Sequence, residues 1–423
     1  IYTVFHAFVI QVADDTIAQF NLYNRQTMKM KVLVTVIYTT LFLTVVRADK
    51  TKDLKDLSRI VRHFSARIAS YLIAPGYGST DNFVFSGLRV VSTLLAMHNF
   101  GSDNIRSEVE NIIGLTSSLV DNGCEVMNKL MEYEAIKETH FGILFNSTLF
   151  FRENMQINGE KVKGPCIGGQ IQALDFTKKW EAMETINRWY DIWGQIYFQH
   201  YLKDPLNETT NELLMNRLRM KIVMDNDFNI GDPIDFINIK ENKEEVDAME
   251  KIGMFAYKYS EEREVHLIRE DFPGGRFSSV VILPHYDDEF ENTLKSFFEA
   301  ELFSNLLLEA TSLTNKTKML LRLPELAIQT RVDLTEILRA IGMHSIDETY
   351  SLSELTSESS RILQFPHSEF IKFDAQEAAD NNPRNITTFM VSSPFVFVIL
   401  DKTFCVPLKV VVFTGMEKFS DIK

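Results

Sequence analysis

The stretch His367–Phe397 reads HSEFIKFDAQEAADNNPRNITTFMVSSPFVF, and its reading decides the fold. From His367 to Phe373 the residues alternate as a half-buried strand does. From Pro394 to Ile399 the run Pro-Phe-Val-Phe-Val-Ile is continuously apolar, as in a strand covered on both faces. Between them Asp374–Ser393 is rich in Asp, Asn, Gln, Ala, Pro and Ser, the composition of an exposed loop. Two strands bracketing a polar loop is the first expectation.

Working outward, the rest of the chain supplies elements in a consistent order. Leu54, Leu57, Ile60, Val61, Phe64, Ile68 and Leu72 recur at three and four and predict an amphipathic helix. Asn82-Phe83-Val84-Phe85-Ser86-Gly87 predicts a short strand that breaks into an apolar helix running through Phe100. Asn146–Phe151 is strand-like, and Leu174-Asp175-Phe176 precedes Ile186-Asn187-Arg188-Trp189. Val280-Val281-Ile282-Leu283-Pro284, Leu321-Arg322-Leu323-Pro324, then Gly342-Met343 and Phe413-Thr414-Gly415 follow. No domain-scale linker or repeat interrupts them.

These fragments, in number, order and spacing over roughly 50–418, resemble the serpins. The resemblance implies an α+β fold of three β-sheets with eight or nine helices and an exposed reactive-centre loop. It implies a single domain over 49–423 and a monomer. It also implies a mechanism for inhibitory members: a protease cuts the loop, and the cut loop enters the main sheet as a new strand while the protease is held as an acyl-enzyme.

The hinge departs from that pattern. The reactive loop maps to Ala375, Gln376, Glu377, Ala378, Ala379, Asp380, Asn381, Asn382, Pro383, Arg384 and Asn385, and the family's Gly-Thr pair is missing. An inserted strand turns every other side chain under the sheet, so either parity buries an Asp or Asn, at about 1–3 kcal/mol if unpaired. Pro383 removes a ladder donor. From Ala375 to Arg384 is nine steps, about 30 Å at full extension. Two further departures are Gly87, where the family has Pro, and Met224, where it has Trp.

The favoured reading is therefore a secreted, non-inhibitory serpin that binds or carries a ligand, or is a protease decoy. The alternative is an inhibitor of a trypsin-like serine protease with Arg384–Asn385 as the scissile pair and Arg384 as bait.

Bulk properties narrow the remaining classes. The net charge of −14 disfavours nucleic acid as a partner. The region Asp121–Glu138 carries four Glu against Lys129 and Lys137, so no heparin site is evident. No elbow, zincin, Walker or dinucleotide motif is present, so neither an enzyme nor a cofactor is expected. Asp287-Asp288-Glu289-Phe290-Glu291 reads as a solvated acidic face rather than a metal site. The histidines lack paired metal spacing, and His367 reads as a structural strand residue.

Residues 1–29 read as an upstream extension and 30–48 as a signal peptide, with the apolar run Val32–Val46 too short to span a membrane and cleavage after Ala48. Removing 1–48 takes away four basic and two acidic side chains and brings the charge from −14 to −16. Sequons at Asn146, Asn207, Asn315 and Asn385 fit a secreted glycoprotein, with Asn146 the poorest acceptor because it lies in a strand. The cysteines Cys124, Cys166 and Cys405 allow one bridge and a free thiol, or three free thiols. Three free buried thiols is the expectation.

Overall fold

The computed structural model describes residues 52–73, 81–131, 141–164, 166, 170–191, 201–222, 228–286, 289–348, 352–358, 365–373, 375–376 and 386–415. The expected upstream extension and signal peptide lie outside these residues. The expected amphipathic helix is α1 (52–73), with Leu57, Ile60, Val61, Phe64, Ile68 and Leu72 all buried.

Strand β1 (Phe83–Phe85) then leads into helix α2 (Gly87–Phe100). The Ser86 side chain caps α2 by accepting the Arg89 backbone N–H, which satisfies one of the orphan donors of the first turn. Thirteen of the fourteen α2 residues are buried, so this helix is covered all round rather than lying on the surface.

Gly87 has a packing reason. A Cβ placed there would meet Ser65 Oγ of α1 at 2.1 Å and the Ser65 Cα at 3.0 Å. The two helices touch backbone to backbone, and any larger residue must push them apart.

Helices α3 (Asp103–Ile113), α4 (Ser117–Val120) and α5 (Gly123–Met131) follow, then β2 (Phe141–Arg152), α6 (Gly159–Val162), β3 (Ile171–Leu174) and α7 (Lys179–Asp191). The strands β4 (Glu212–Ile222), β5 (Phe228–Ile237), β6 (Lys243–Ser260), β7 (Val265–Asp271) and β8 (Phe277–Pro284) come next. After α8 (Phe290–Ser296) and α9 (Ala300–Ser312) run β9 (Lys316–Pro324), β10 (Ala327–Asp333) and α10 (Thr335–Ala340). The last strands are β11 (Pro366–Lys372), β12 (Ala375–Gln376), β13 (Thr387–Met390), β14 (Phe395–Asp401) and β15 (Val406–Phe413).

The strands form three sheets. Ten of them make one sheet in the order β1-β15-β14-β8-β7-β6-β5-β12, with β9 added on β6 and β13 on β9. A second sheet is β3-β2-β4 and a third is the antiparallel pair β10-β11. β8, β14 and β15 are buried at every position, which explains their unbroken apolar runs. The described residues hold ten α-helical segments where eight or nine were expected; α4 and α6 are single turns of four residues.

The cysteine expectation is corrected. Cys124 and Cys166 form a disulfide with Cα atoms 5.0 Å apart, and Cys405 alone is free and buried. The bridge ties α5 to the segment after α6 across 42 positions of sequence. Both cysteines pack on one apolar cluster around Phe100, Leu149 and Leu355, and that shared packing is invisible in the sequence.

Gly87→Pro would restore the residue typical of the family, yet it places a ring against Ser65. The expected outcome is destabilisation by about 1–3 kcal/mol from overpacking, read as a lower urea midpoint.

Candidate functional site

The expected strand–loop–strand arrangement is built as follows. β11 pairs with β10 over seven residues, from Pro366↔Asp333 to Lys372↔Ala327. Its inward parity is His367, Glu369 and Ile371, followed by Phe373, all buried. Phe373 closes the top by packing edge-on against Phe228 at 6.0 Å and Phe397 at 5.3 Å. Lys251, buried and paired with Glu270 at 2.5 Å, sits 5.5 Å over the Phe228 ring.

Two residues of the expected loop, Ala375 and Gln376, are in a strand. Ala375 and Gln376 form β12, parallel to the start of β5, with Ala375↔Phe228 and Gln376↔Asn229. Glu377, Ala378, Ala379, Asp380, Asn381, Asn382, Pro383, Arg384 and Asn385 lie outside the described residues, as does Met224. The chain resumes at Ile386 and enters β13, which lies parallel on β9 from Thr387↔Met319 to Met390↔Arg322. The Val391 N–H then donates to the Arg322 carbonyl at 2.9 Å, and β14 follows.

Between the two smaller sheets there is a slot. Among the described residues β4 pairs only with β2, and β11 only with β10. Arg89, Thr93, Met97 and Phe100 of α2 line its floor, Leu213 and Met215 of β4 one side, and His367 of β11 the other.

The residues next to this slot are charged, which sequence reading did not anticipate. Glu369, 1% exposed, takes Arg89 Nη1 on one carboxylate oxygen at 2.6 Å and Lys409 Nζ on the other at 3.1 Å. Arg89 also lies 6.0 Å over the Tyr190 ring, which packs on Tyr201 at 4.6 Å. Burial alone would raise the Glu369 carboxyl; Lys409, then Arg89, overcome that and hold it at about 2. His367 is pulled down to about 3, by burial first and by Arg89 second. Its neutral ring fits the geometry, because Nε2 accepts the Ser86 backbone N–H at 3.4 Å. His367 is thus a structural residue that joins β11 to the cap of α2.

Of the expected glycan acceptors, Asn146 pairs with Arg217 in β2, the central strand of its sheet. Asn207 is exposed in a turn, its side-chain oxygen accepting the Thr209 N–H at 2.9 Å. Asn315 is exposed between α9 and β9, and Asn385 lies outside the described residues. Lys129 of α5 is paired with Glu125 of the same helix, and the rest of the region expected to lack a heparin site, 132–138, lies outside the described residues.

Against known proteins, residues 59–415 match the family model described as serpin, serine protease inhibitor. The chain belongs to the serpin family. Intracellular coagulation inhibitor 2 of Tachypleus tridentatus is 21% identical over 384 residues, covering 84% of this serpin and 90% of the relative. Ovalbumin of Coturnix coturnix is 19% identical over 76% of this chain and 90% of its own. Among solved structures, uncleaved ovalbumin superposes with a TM-score of 0.71 at 17% identity, over 85% of this chain and 100% of that one. A thyroxine-binding globulin complex with thyroxine also gives 0.71, at 15% identity, over 86% and 99%. The similar proteins thus include one named as a coagulation inhibitor and one named as a thyroxine-binding globulin.

Two outcomes are expected from the charged cluster. Glu369→Gln leaves Arg89 and Lys409 buried without their anion and should cost about 3–5 kcal/mol in urea unfolding. For His367 the folded value lies below the ordinary 6.5, so the unfolded chain binds the extra proton. Its stability contribution is complete above pH 6.5 and is lost as the pH falls toward 3, at up to about 1.4 kcal/mol per pH unit. Glu369 adds loss in the same direction, from its ordinary 4.5 down to about 2. The melting temperature of His367→Asn should therefore fall less steeply than that of the parent between pH 6.5 and 4.5.

Proposed function

We propose that this serpin is a secreted binding or carrier protein, or a decoy cut by proteases, whose loop is a substrate rather than a trap. The carrying observation is β12. With Ala375–Gln376 already paired to β5, an inserted strand that leaves this pairing intact has to be drawn from the chain beyond Gln376. Gln376 to Arg384 is eight steps, about 26 Å, against about 33 Å for the ten steps of β4. That segment also brings Asp380, Asn381, Asn382 and Pro383, each unfavourable in a central strand.

Export, a signal peptide over 30–48 with the single domain 49–423, and glycans on Asn207, Asn315 and Asn385 belong to the same proposal. The Cys124–Cys166 bridge supports it, since such bonds persist in oxidising compartments. No helix of the described residues is long and apolar enough to cross a membrane.

One observation favours the second reading, inhibition of a trypsin-like serine protease with Arg384 as bait. Among the described residues β4 and β11 each pair with another strand and not with one another, so neither edge facing the other is used in a ladder.

Incubation with trypsin followed by a denaturing gel separates the two. The proposed reading expects nicking at Arg384 without an adduct, and a melting temperature nearly unchanged by the cut. A detergent-resistant complex with the protease, or a sharply raised melting temperature, would overturn it in favour of the inhibitor.

A further inference from the structure

A second cleft, sharing no lining residue with the slot, lies between α1, the end of α3 and the segment 292–300. It encloses about 670 Å³, within the usual range for small-molecule sites. Arg59, His63, Arg67 and Tyr71 line it from α1. They are spaced by four and so stand in one row along the helix. Lys295 of α8 lines it from another side. Ile60, Phe64 and Phe298 lie buried beneath the same cleft, and the half-buried Tyr71 ring is the apolar surface that reaches it.

Its charge opposes that of the molecule. Arg59, Arg67 and Lys295 face it against Glu299 alone, so the lining is net positive in a chain of net charge −14. Arg67 is partly committed, donating to the carbonyls of Ile112 at 3.2 Å and Ile341 at 3.3 Å. Arg59 and Lys295 have no ion-pair partner among the described residues. His63 Nε2 is buried and makes no hydrogen bond among the described residues; its nearest acid is the largely exposed Glu301, 3.6 Å away. Burial lowers the His63 pKa, so at neutral pH the ring is uncharged and can donate or accept.

We propose that this cleft binds a small amphipathic anion, with an apolar body against the Tyr71 ring and a carboxylate or sulfonate taken up by Arg59 and Lys295. The apolar surface argues against a bare inorganic ion, which would gain nothing from it. The enclosed volume and the acidic surroundings argue against an extended polyanion. The proposal deepens the carrier reading by naming a ligand class, and for its biological use it rests on that reading. The two fail separately: a trypsin adduct overturns the loop argument and leaves the cleft untouched.

The test titrates the full chain with 8-anilinonaphthalene-1-sulfonate and, in parallel, with N-phenyl-1-naphthylamine, which keeps the apolar body and lacks the sulfonate. The native protein should bind the sulfonate probe at one site. The double variant Arg59→Glu with Lys295→Glu should bind it about tenfold or more weakly, and the neutral probe equally well. Circular dichroism and melting temperature establish that the variant is folded. Should the double reversal fold poorly, Arg59→Gln with Lys295→Gln should give the same loss in smaller degree. Laurate should displace the sulfonate probe from the native protein. Absence of binding by the native chain, equal affinity in the folded variant, or failure of laurate to compete would overturn the site.

Discussion

The carboxylate of Glu369 joins the molecule's parts beside the slot. One oxygen holds Arg89 of α2 and the other holds Lys409 of β15, while Glu369 itself belongs to β11. A single buried anion therefore ties the central helix, the ten-stranded sheet and the two-stranded sheet together. Removing one member of such a cluster leaves charge stranded in a dry interior, so each residue constrains the other two. His367 extends the linkage by taking the N–H of the residue that caps α2.

That arrangement fixes β11 and leaves β4 on the far side of the slot. Among the described residues no strand pairs with either of them across the slot, and the question of function becomes one about the loop rather than the sheet. The loop is anchored at both ends in the large sheet, by β12 on β5 and by β13 on β9. Phe373, wedged against Phe228 and Phe397, sets the point from which it departs. A strand already committed at its root, short, and carrying Asp, Asn and Pro is poorly suited to fill the gap. A site for a ligand elsewhere on the fold makes no demand on that loop.

Much of the fold was legible because its signals are local. The helix periodicity of 54–72, the break from strand to helix at Ser86-Gly87 and the unbroken apolar runs of β8 and β14 each follow from side chains a few positions apart. The alternation from His367 to Phe373 was legible too, but its meaning was not. Glu369 shares parity with buried Ile371 and Phe373, so the two-residue period alone places it inward. The partners that make the inward placement tolerable, Arg89 and Lys409, lie on distant elements and leave no mark in the local pattern. Arg89 carried the same clue, as an arginine within a helix otherwise covered on every side.

The sequence by itself determined several strands, the first two long helices and the family, since these depend on pattern between near neighbours. Tertiary structure alone decided which distant side chains meet: Cys124 with Cys166, Arg89 and Lys409 with Glu369, and the basic row of α1 with Lys295 across a cleft. The reason is physical. Backbone preference and apolar periodicity act between near neighbours, whereas ion pairs, bridges and cavities depend on distances in space that chain separation does not encode.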